Sequence, residues 1–225
     1  MRAVIQARTT STRLPNKVLM KIAGKPIIHH VIDACRQFDP IVAVPEGDRR
    51  LIDCIGSAAK VVEGPEHDVA ARFSLAVKGL DYFIRVCADS PALDPKRLRQ
   101  VAPHRKFAVV RTVGAHGQQV EMVNTEIWEY HRQFFDEFER EHVTPFLYTG
   151  GFDIKDIEVK GPDMVVDTMA DYRKVKSYME REIEGSGHRD GRGGPSREGV
   201  SGGGSGRNSV RQRPRKDRRI RRGDD

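Results

Sequence analysis

Short apolar runs alternate with stretches of helical periodicity along most of this chain, and that order constrains the fold more than any other feature. The run AVI at residues 3–5 reads as a buried strand. In PIIHHVIDACRQF, residues 26–38, Ile27, Ile28, Val31, Ile32 and Cys35 share one helical face, and Pro26 suits a first turn. PIVAV at 40–44 reads as a second strand, 48–58 as a helix and KVVE at 60–63 as a third strand. Asp68 is placed to cap a helix carrying Val69, Phe73, Ala76, Val77 and Leu80. YFIRV at 82–86, KFAVVRTV at 106–113 and QVEMVN at 119–124 continue the strands, with the glycine-bearing GAHGQ as a loop between the last two. Thr125 opens an amphipathic helix through Phe138, and a last helix over 171–182 turns Tyr172, Val175 and Met179 inward. The pattern predicts an α/β domain with a mostly parallel sheet. Sheets of that kind gather ligands beyond the carboxyl ends of their strands.

The net charge of +7 suggests a nucleic-acid footprint until it is located. Residues 185–225 carry 12 of the 39 Lys and Arg and five of the 32 Asp and Glu, so residues 1–184 hold 27 of each sign and balance. The basicity belongs to the tail. That tail lacks aromatic residues and has only Val200, Val210 and Ile220 as aliphatics. It is expected to be disordered, since it cannot bury enough apolar surface to offset the entropy of ordering. It reads either as an arm for nucleic acid or another polyanion, or as a solubilising extension. The expected division is a folded domain at 1–184 and a Gly/Ser/Arg-rich tail at 185–225. Cys35, Cys54 and Cys87 are scattered, which indicates neither a disulfide framework nor a zinc cluster. With no long apolar segment, a cytoplasmic protein with no membrane contact is expected.

The segment after the first run, VIQARTTSTRLPNKVL (4–19), is where chemistry first shows. Arg8, Arg13 and Lys17 stand among Thr9, Thr10, Ser11 and Thr12, with no acid between Met1 and Ile32. Backbone N–H groups, hydroxyls and cations at the carboxyl end of a first strand suit an anion whose charge is spread over many oxygens, although a basic solvated turn has the same composition. The Walker A spacing is absent. Asn16 is suited to a left-handed turn. Two acids follow apolar runs in the same way: Asp89 in RVCADSPALDP (85–95) and Asp167 in MVVDTMADY (164–172). A carboxylate at each of two strand ends is the arrangement needed to hold Mg²⁺ beside a triphosphate. Turn capping competes with that role for Asp89, Asp94 before Pro95 reads as a helix N-cap, and Asp171 reads as a cap or a supporting partner.

These blocks carry a resemblance. IQARTTSTRLPNKVLMKIAGKPIIHHVI, DVAARFSLAVK (68–78), RVCADSPALDP, GQQVEMVNTEIW (117–128), EREHVTPFLY (139–148) and VVDTMADY resemble, in order, the nucleotide-sugar cytidylyltransferases of the spore-coat-polysaccharide type. That group is related to the acylneuraminate and 3-deoxy-manno-octulosonate cytidylyltransferases. The resemblance covers roughly residues 1–182. It implies a Rossmann-like nucleotide-diphospho-sugar transferase fold and transfer of CMP from CTP to an acidic, nonulosonate-like sugar. Pyrophosphate release, Mg²⁺, a homodimer and a place in surface polysaccharide synthesis are implied with it.

By position, Arg8 and Lys17 match the phosphate contacts, with Ser11, Thr12 and Arg13 in the same loop. Asp89 and Asp167 match the metal aspartates, and Arg8, Lys17 and Asp89 are the expected catalytic set. Arg72 falls in the block on the cytosine side, where a solvated helix face explains an Arg equally well. Glu121, Arg140, Glu141 and His142 are the candidates for the acceptor, and for Glu141 and His142 a charged helix start is the competing account. Trp128, Phe134, Phe135 and Phe138 read as core or dimer interface. This chain departs from the group at Thr9-Thr10, Asn16, Met169 and Gln119, and its span from Cys87 to Glu121 is short. Two alternatives stand beside the main reading: a related enzyme using another nucleotide or sugar, or a non-catalytic relative that grips polyanions through its tail.

Overall fold

The structure is a computed structural model that describes residues 1–187. Its centre is a seven-stranded sheet in the order β5-β4-β1-β6-β8-β7-β9. The strands are β1 (Arg2–Gln6), β4 (Ile41–Pro45), β5 (Lys60–Gly64), β6 (Tyr82–Cys87), β7 (Val109–Gly114), β8 (Glu121–Asn124) and β9 (Ile154–Val159). Four of the six neighbouring pairs are parallel, and β8 alone runs against both of its neighbours. The mostly parallel sheet expected from the alternating pattern is therefore present. A two-residue hairpin, β2 (Lys21–Ile22) with β3 (Lys25–Pro26), leads into α1 (Ile27–Cys35).

Strand alternation divides the core between two faces. Ala3, Ile5, Val42, Val44, Ile84 and Val86 point to one face and meet α1, α2 (Arg49–Ile55) and α4 (Lys96–Val101). Val4, Ile41, Ala43, Phe83, Val109 and Val123 point to the other, under α3 (Val69–Ala76) and α5 (Thr125–Arg132). Trp128 fills this second layer, edge-on to Phe83 and Phe135, with its indole N–H donated to the Val143 carbonyl at 2.8 Å. A third cluster closes the end of the sheet, where α8 (Met169–Gly187) sets Val175 against Leu14, Ile22 and Val166. The α1 face is as expected: Ile27, Ile28, Val31, Ile32 and Cys35 are all buried.

Two expectations are corrected. The helix expected from Thr125 through Phe138 stops at Arg132, and α6 (Glu137–His142) starts afresh from Asp136. Asp136 accepts from the Glu139 N–H while the Glu139 carboxylate accepts from the Asp136 N–H, a reciprocal cap that nucleates a separate helix. A four-residue α7 (Phe146–Thr149) follows. Strand β9 was not foreseen at all, and it pairs parallel to β7 at the sheet edge. Within the aromatic group, Trp128 and Phe135 are core, whereas Phe134 and Phe138 are exposed. The tail expected to be disordered lies outside the described residues.

Candidate active site

The loop after β1 is held in shape by its own backbone and by the start of α2. Pairing continues one residue past β1 through Ala7 N–H to the Ala43 carbonyl, and then the chain leaves the sheet. Asn16 takes the left-handed conformation foreseen for it, φ 59°, and its N–H reaches the Thr9 carbonyl at 2.9 Å, which closes the loop. Asp48, the N-cap of α2, accepts from both the N–H and the hydroxyl of Thr9, at 3.0 and 2.8 Å. Lys17 then opens a short 3-10 turn and points back under the loop, with its side chain 10% exposed.

The two expected carboxylates meet at Lys17. Asp89 lies two residues beyond the end of β6, held there by the Ala88 N–H on the Gln6 carbonyl. The chain returning to α8 pairs with it directly, Val166 N–H to Asp89 carbonyl at 2.9 Å, and this bond brings Asp167 alongside. Lys17 Nζ donates to Asp89 Oδ2 at 2.9 Å and to Asp167 Oδ1 at 2.8 Å, and Arg13 reaches the same Asp167 oxygen at 3.0 Å. Burial alone would depress the Lys17 ammonium, but the two aspartates outweigh it and hold the group above its ordinary value. Thr168 and Asp171 cap α8 together, each bonding the other's N–H through its side chain, and Asp171 is held below its ordinary value chiefly by Thr168. Asp171 is thus a cap, one of its two expected roles.

These groups open onto a cleft of about 280 Å³ that Arg8, Ser11, Thr12, Arg13, Asp89 and Asp167 line, together with Glu141 and His142. Arg8 is bound to Glu141 at 2.8 Å, so each of the loop's three cations rests on an acid. A second cavity of about 250 Å³ shares Arg85, Cys87 and Asp89 with the cleft and extends to His116, Gln119 and Glu121. Glu121 accepts from Arg85 NH1 at 2.9 Å, from the Thr144 hydroxyl at 2.9 Å and from the Tyr148 hydroxyl. Arg85 also reaches Gln6 Oε1 at 3.1 Å, so it spans the wall between the two cavities. Burial drives the Cys87 thiol up to about 11, with Arg85 opposing.

Two of the expected residues stand apart. Arg72 lies outside the cleft's lining and is fully buried, which removes the solvated-face reading. Its NH1 holds the Pro65 and Glu66 carbonyls at 2.7 and 2.8 Å, while Nε and NH2 have no partner. Burial first and nearby Arg8 second lower it to about 10. Arg140 is exposed and pairs with Asp68 at 3.3 Å, also outside the lining. Sequence reasoning passed over Gln6, Asp48 and Arg85. For Arg85 a signal existed: a cation interrupts the apolar run YFIRVC, and a buried charge requires a partner.

Among the described residues no cluster of three or more His, Cys, Asp or Glu is arranged to hold a metal. Two adjacent carboxylates nonetheless fit Mg²⁺, a hard ion that keeps several waters and takes one or two carboxylates together with substrate phosphates.

Asp89 sits just past the end of β6 as expected, but the run before Asp167 forms no strand and is the irregular lead into α8. With the cationic loop after β1 they mark an α/β fold of the nucleotidyltransferase class. Residues 2–179 match the family model described as cytidylyltransferase, and the chain belongs to that family. A 3-deoxy-manno-octulosonate cytidylyltransferase of Alcanivorax borkumensis is 36% identical over 109 residues, 44% of this chain and 43% of that relative, so the match spans under half the relative's length. Among solved structures, a cytidylyltransferase from Leptospira borgpetersenii superimposes with a TM-score of 0.73 at 20% identity, covering 88% of this chain and 98% of that one. A CMP:2-keto-3-deoxy-manno-octonic acid synthetase complexed with CTP superimposes with a TM-score of 0.66 at 19% identity, covering 80% of this chain and 98% of that one. At these identities the structural likenesses establish the fold.

Proposed function

We propose that this protein is a Mg²⁺-dependent cytidylyltransferase that transfers CMP from CTP to an acidic sugar of nonulosonate type and releases pyrophosphate. The observation that carries the reading is the convergence of Asp89 and Asp167 on Lys17 beneath the Arg8–Arg13 loop. Family membership and the CTP bound by a neighbour of the same fold support the choice of nucleotide.

In this reading Arg8, Arg13 and Lys17 bind the β- and γ-phosphates and balance the charge that builds on pyrophosphate as it departs. Asp89 and Asp167 would hold Mg²⁺, which would supply charge neutralisation for the phosphates. Ser11 and Thr12 line the same cleft and offer hydroxyls to phosphate oxygens. The acceptor occupies the second cavity, and the shared wall at Asp89 sets its hydroxyl beside the α-phosphate for in-line attack. Positioning and electrostatic stabilisation account for the rate, with no covalent intermediate on the protein. Glu121 acts by fixing Arg85, which it holds through the oxygen that also accepts from the Thr144 hydroxyl. Arg72 acts at one remove by holding the 65–66 turn.

The test is pyrophosphate release with Mg²⁺, each of the four nucleoside triphosphates and a panel of acidic sugars that includes 3-deoxy-manno-octulosonate. Release with CTP and one acidic sugar is expected. Release with none of the triphosphates would remove the reading, and release with another triphosphate or a neutral sugar would redirect it to the related-enzyme alternative.

A further inference from the structure

The loop's cations are all engaged in this structure, and Lys17 is engaged at the place a divalent ion would take. Its Nζ sits 2.9 Å from Asp89 Oδ2 and 2.8 Å from Asp167 Oδ1, the two oxygens that face one another across the site. The side chain is nearly enclosed, 10% exposed, so the ammonium is packed into that position and does not sample it from solvent. We infer that Lys17 is the resting occupant of the metal position, and that a divalent cation enters only together with the nucleotide. The inference rests on the functional reading above.

Three observations lead there. An ammonium 2.9 and 2.8 Å from the facing Asp89 and Asp167 oxygens repels a divalent ion brought to the same pair, so the two cations compete for the position. No third carboxylate, imidazole or thiolate completes a cluster among the described residues, so an incoming ion meets only two acidic ligands, both already paired with Lys17. Arg8 and Arg13 are likewise held on Glu141 and Asp167, which leaves the resting cleft internally balanced.

A nucleotide changes each term. Its phosphate oxygens give Lys17 a charged destination within reach of a flexible four-carbon stem, and they supply the ligands the ion lacks. Drawing Lys17 off the aspartates uncovers the carboxylates at the moment the ion gains its remaining shell. Nucleotide and metal must then raise each other's affinity by the same factor.

The experiment measures Mn²⁺ binding by the free-ion electron paramagnetic resonance signal. Four samples are compared: the full chain alone, the chain with an α,β-methylene analogue of CTP that cannot turn over, the Lys17→Met variant alone, and the analogue without protein. At least tenfold tighter Mn²⁺ binding is expected with the analogue than without it, after subtracting the protein-free chelation. At least tenfold tighter binding is also expected for nucleotide-free Lys17→Met than for nucleotide-free wild type. The wild-type comparison stands by itself if the variant does not fold. Equal Mn²⁺ affinity with and without the analogue, where calorimetry shows the analogue bound, overturns the inference and leaves the cytidylyltransferase reading intact. A Lys17→Met variant that folds but binds Mn²⁺ no more tightly than wild type also overturns it. No binding of the analogue overturns both readings.

Discussion

Replacing Lys17 with methionine tests the electrostatics of the site without nucleotide or turnover. The substitution keeps the length and apolar stem of the side chain and removes only the ammonium. The two contact distances, 2.9 and 2.8 Å, bound the separation of the facing Asp89 and Asp167 oxygens at about 5.7 Å. Two unit charges at that distance repel by about 3 kcal/mol at an effective dielectric of about 20. Screening by water is partial, because the aspartate side chains are 24% and 29% exposed. Arg13, 66% exposed, offsets little of it. A loss of about 2–4 kcal/mol is expected in metal-free buffer at neutral pH, which for a chain of this size corresponds to a fall in Tm of roughly 4–16 °C. The pH dependence has a definite sign. Lys17 is raised in the folded state, so its contribution is present in full below its ordinary value of 10.5 and is lost as pH climbs through the higher folded value. Wild-type and variant stabilities should therefore converge in strongly alkaline buffer. Adding Asp167→Asn to the variant should restore most of the lost stability. Urea titrations with a chelator present read all three effects. A variant within 0.5 kcal/mol (~0.5 by the scatter of such measurements) of wild type at pH 7, or a double variant weaker than the single one, would refute the reasoning.

Asp89→Asn removes one charge but keeps an oxygen near Lys17, so Tm should move by only a few degrees while pyrophosphate release falls by at least about a hundredfold. Wild-type turnover in that variant would remove Asp89 from the mechanism. Gly117→Ala should be costly: Gly117 has φ +86°, and an added Cβ would meet the Met164 carbonyl carbon and oxygen at 2.7 Å. Left-handed strain alone is about 1–3 kcal/mol, and the displaced 164–167 segment should reduce activity as well as Tm; unchanged kinetics would show that this segment does not set Asp167. Thr168→Ala removes the side chain that caps α8 with Asp171, and chemical denaturation should show a loss of about 0.5–2 kcal/mol. No loss would mean that Asp171 alone supports the helix start.

Among the strands legible in the sequence, β1, β4 and most of β6 are buried on both faces, while KVVE is the edge strand β5. AVI, PIVAV and YFIRV are interior strands, each with at least one parallel neighbour, and such strands take apolar residues on both sides of the sheet. Strand β9 is an edge, IKDIEV, with only Val159 fully buried, so its sequence carries as many charges as aliphatics and gives no apolar run. The hairpin β2–β3 is two residues per strand and has no period to detect. The helix break before α6 was legible in principle: Asp136 followed three residues later by Glu139 is a capping signature. The aromatic spacing through Phe138 kept its phase across the break and concealed it.

The site divides along the same line, between what chain order specifies and what only packing specifies. Asp89 and Asp167 were found because each ends an apolar run; for Asp89 that run is β6, whose carboxyl end lies on the rim of the sheet, whereas the run before Asp167 is irregular chain leading into α8. Their meeting at one ammonium depends on the backbone bond from Val166 to Asp89, which no residue type announces. The same holds for Glu141: chain order places it 133 residues from Arg8, and only the packing of α6 under the loop makes them a pair. Arg72 shows the converse. Its residue type and block suggested a ligand contact, but full burial turned the guanidinium toward two carbonyls of its own turn. A charged side chain on a helix acquires its role from the surface that covers it, whereas a carboxylate at the carboxyl end of a parallel strand has its place set by the sheet.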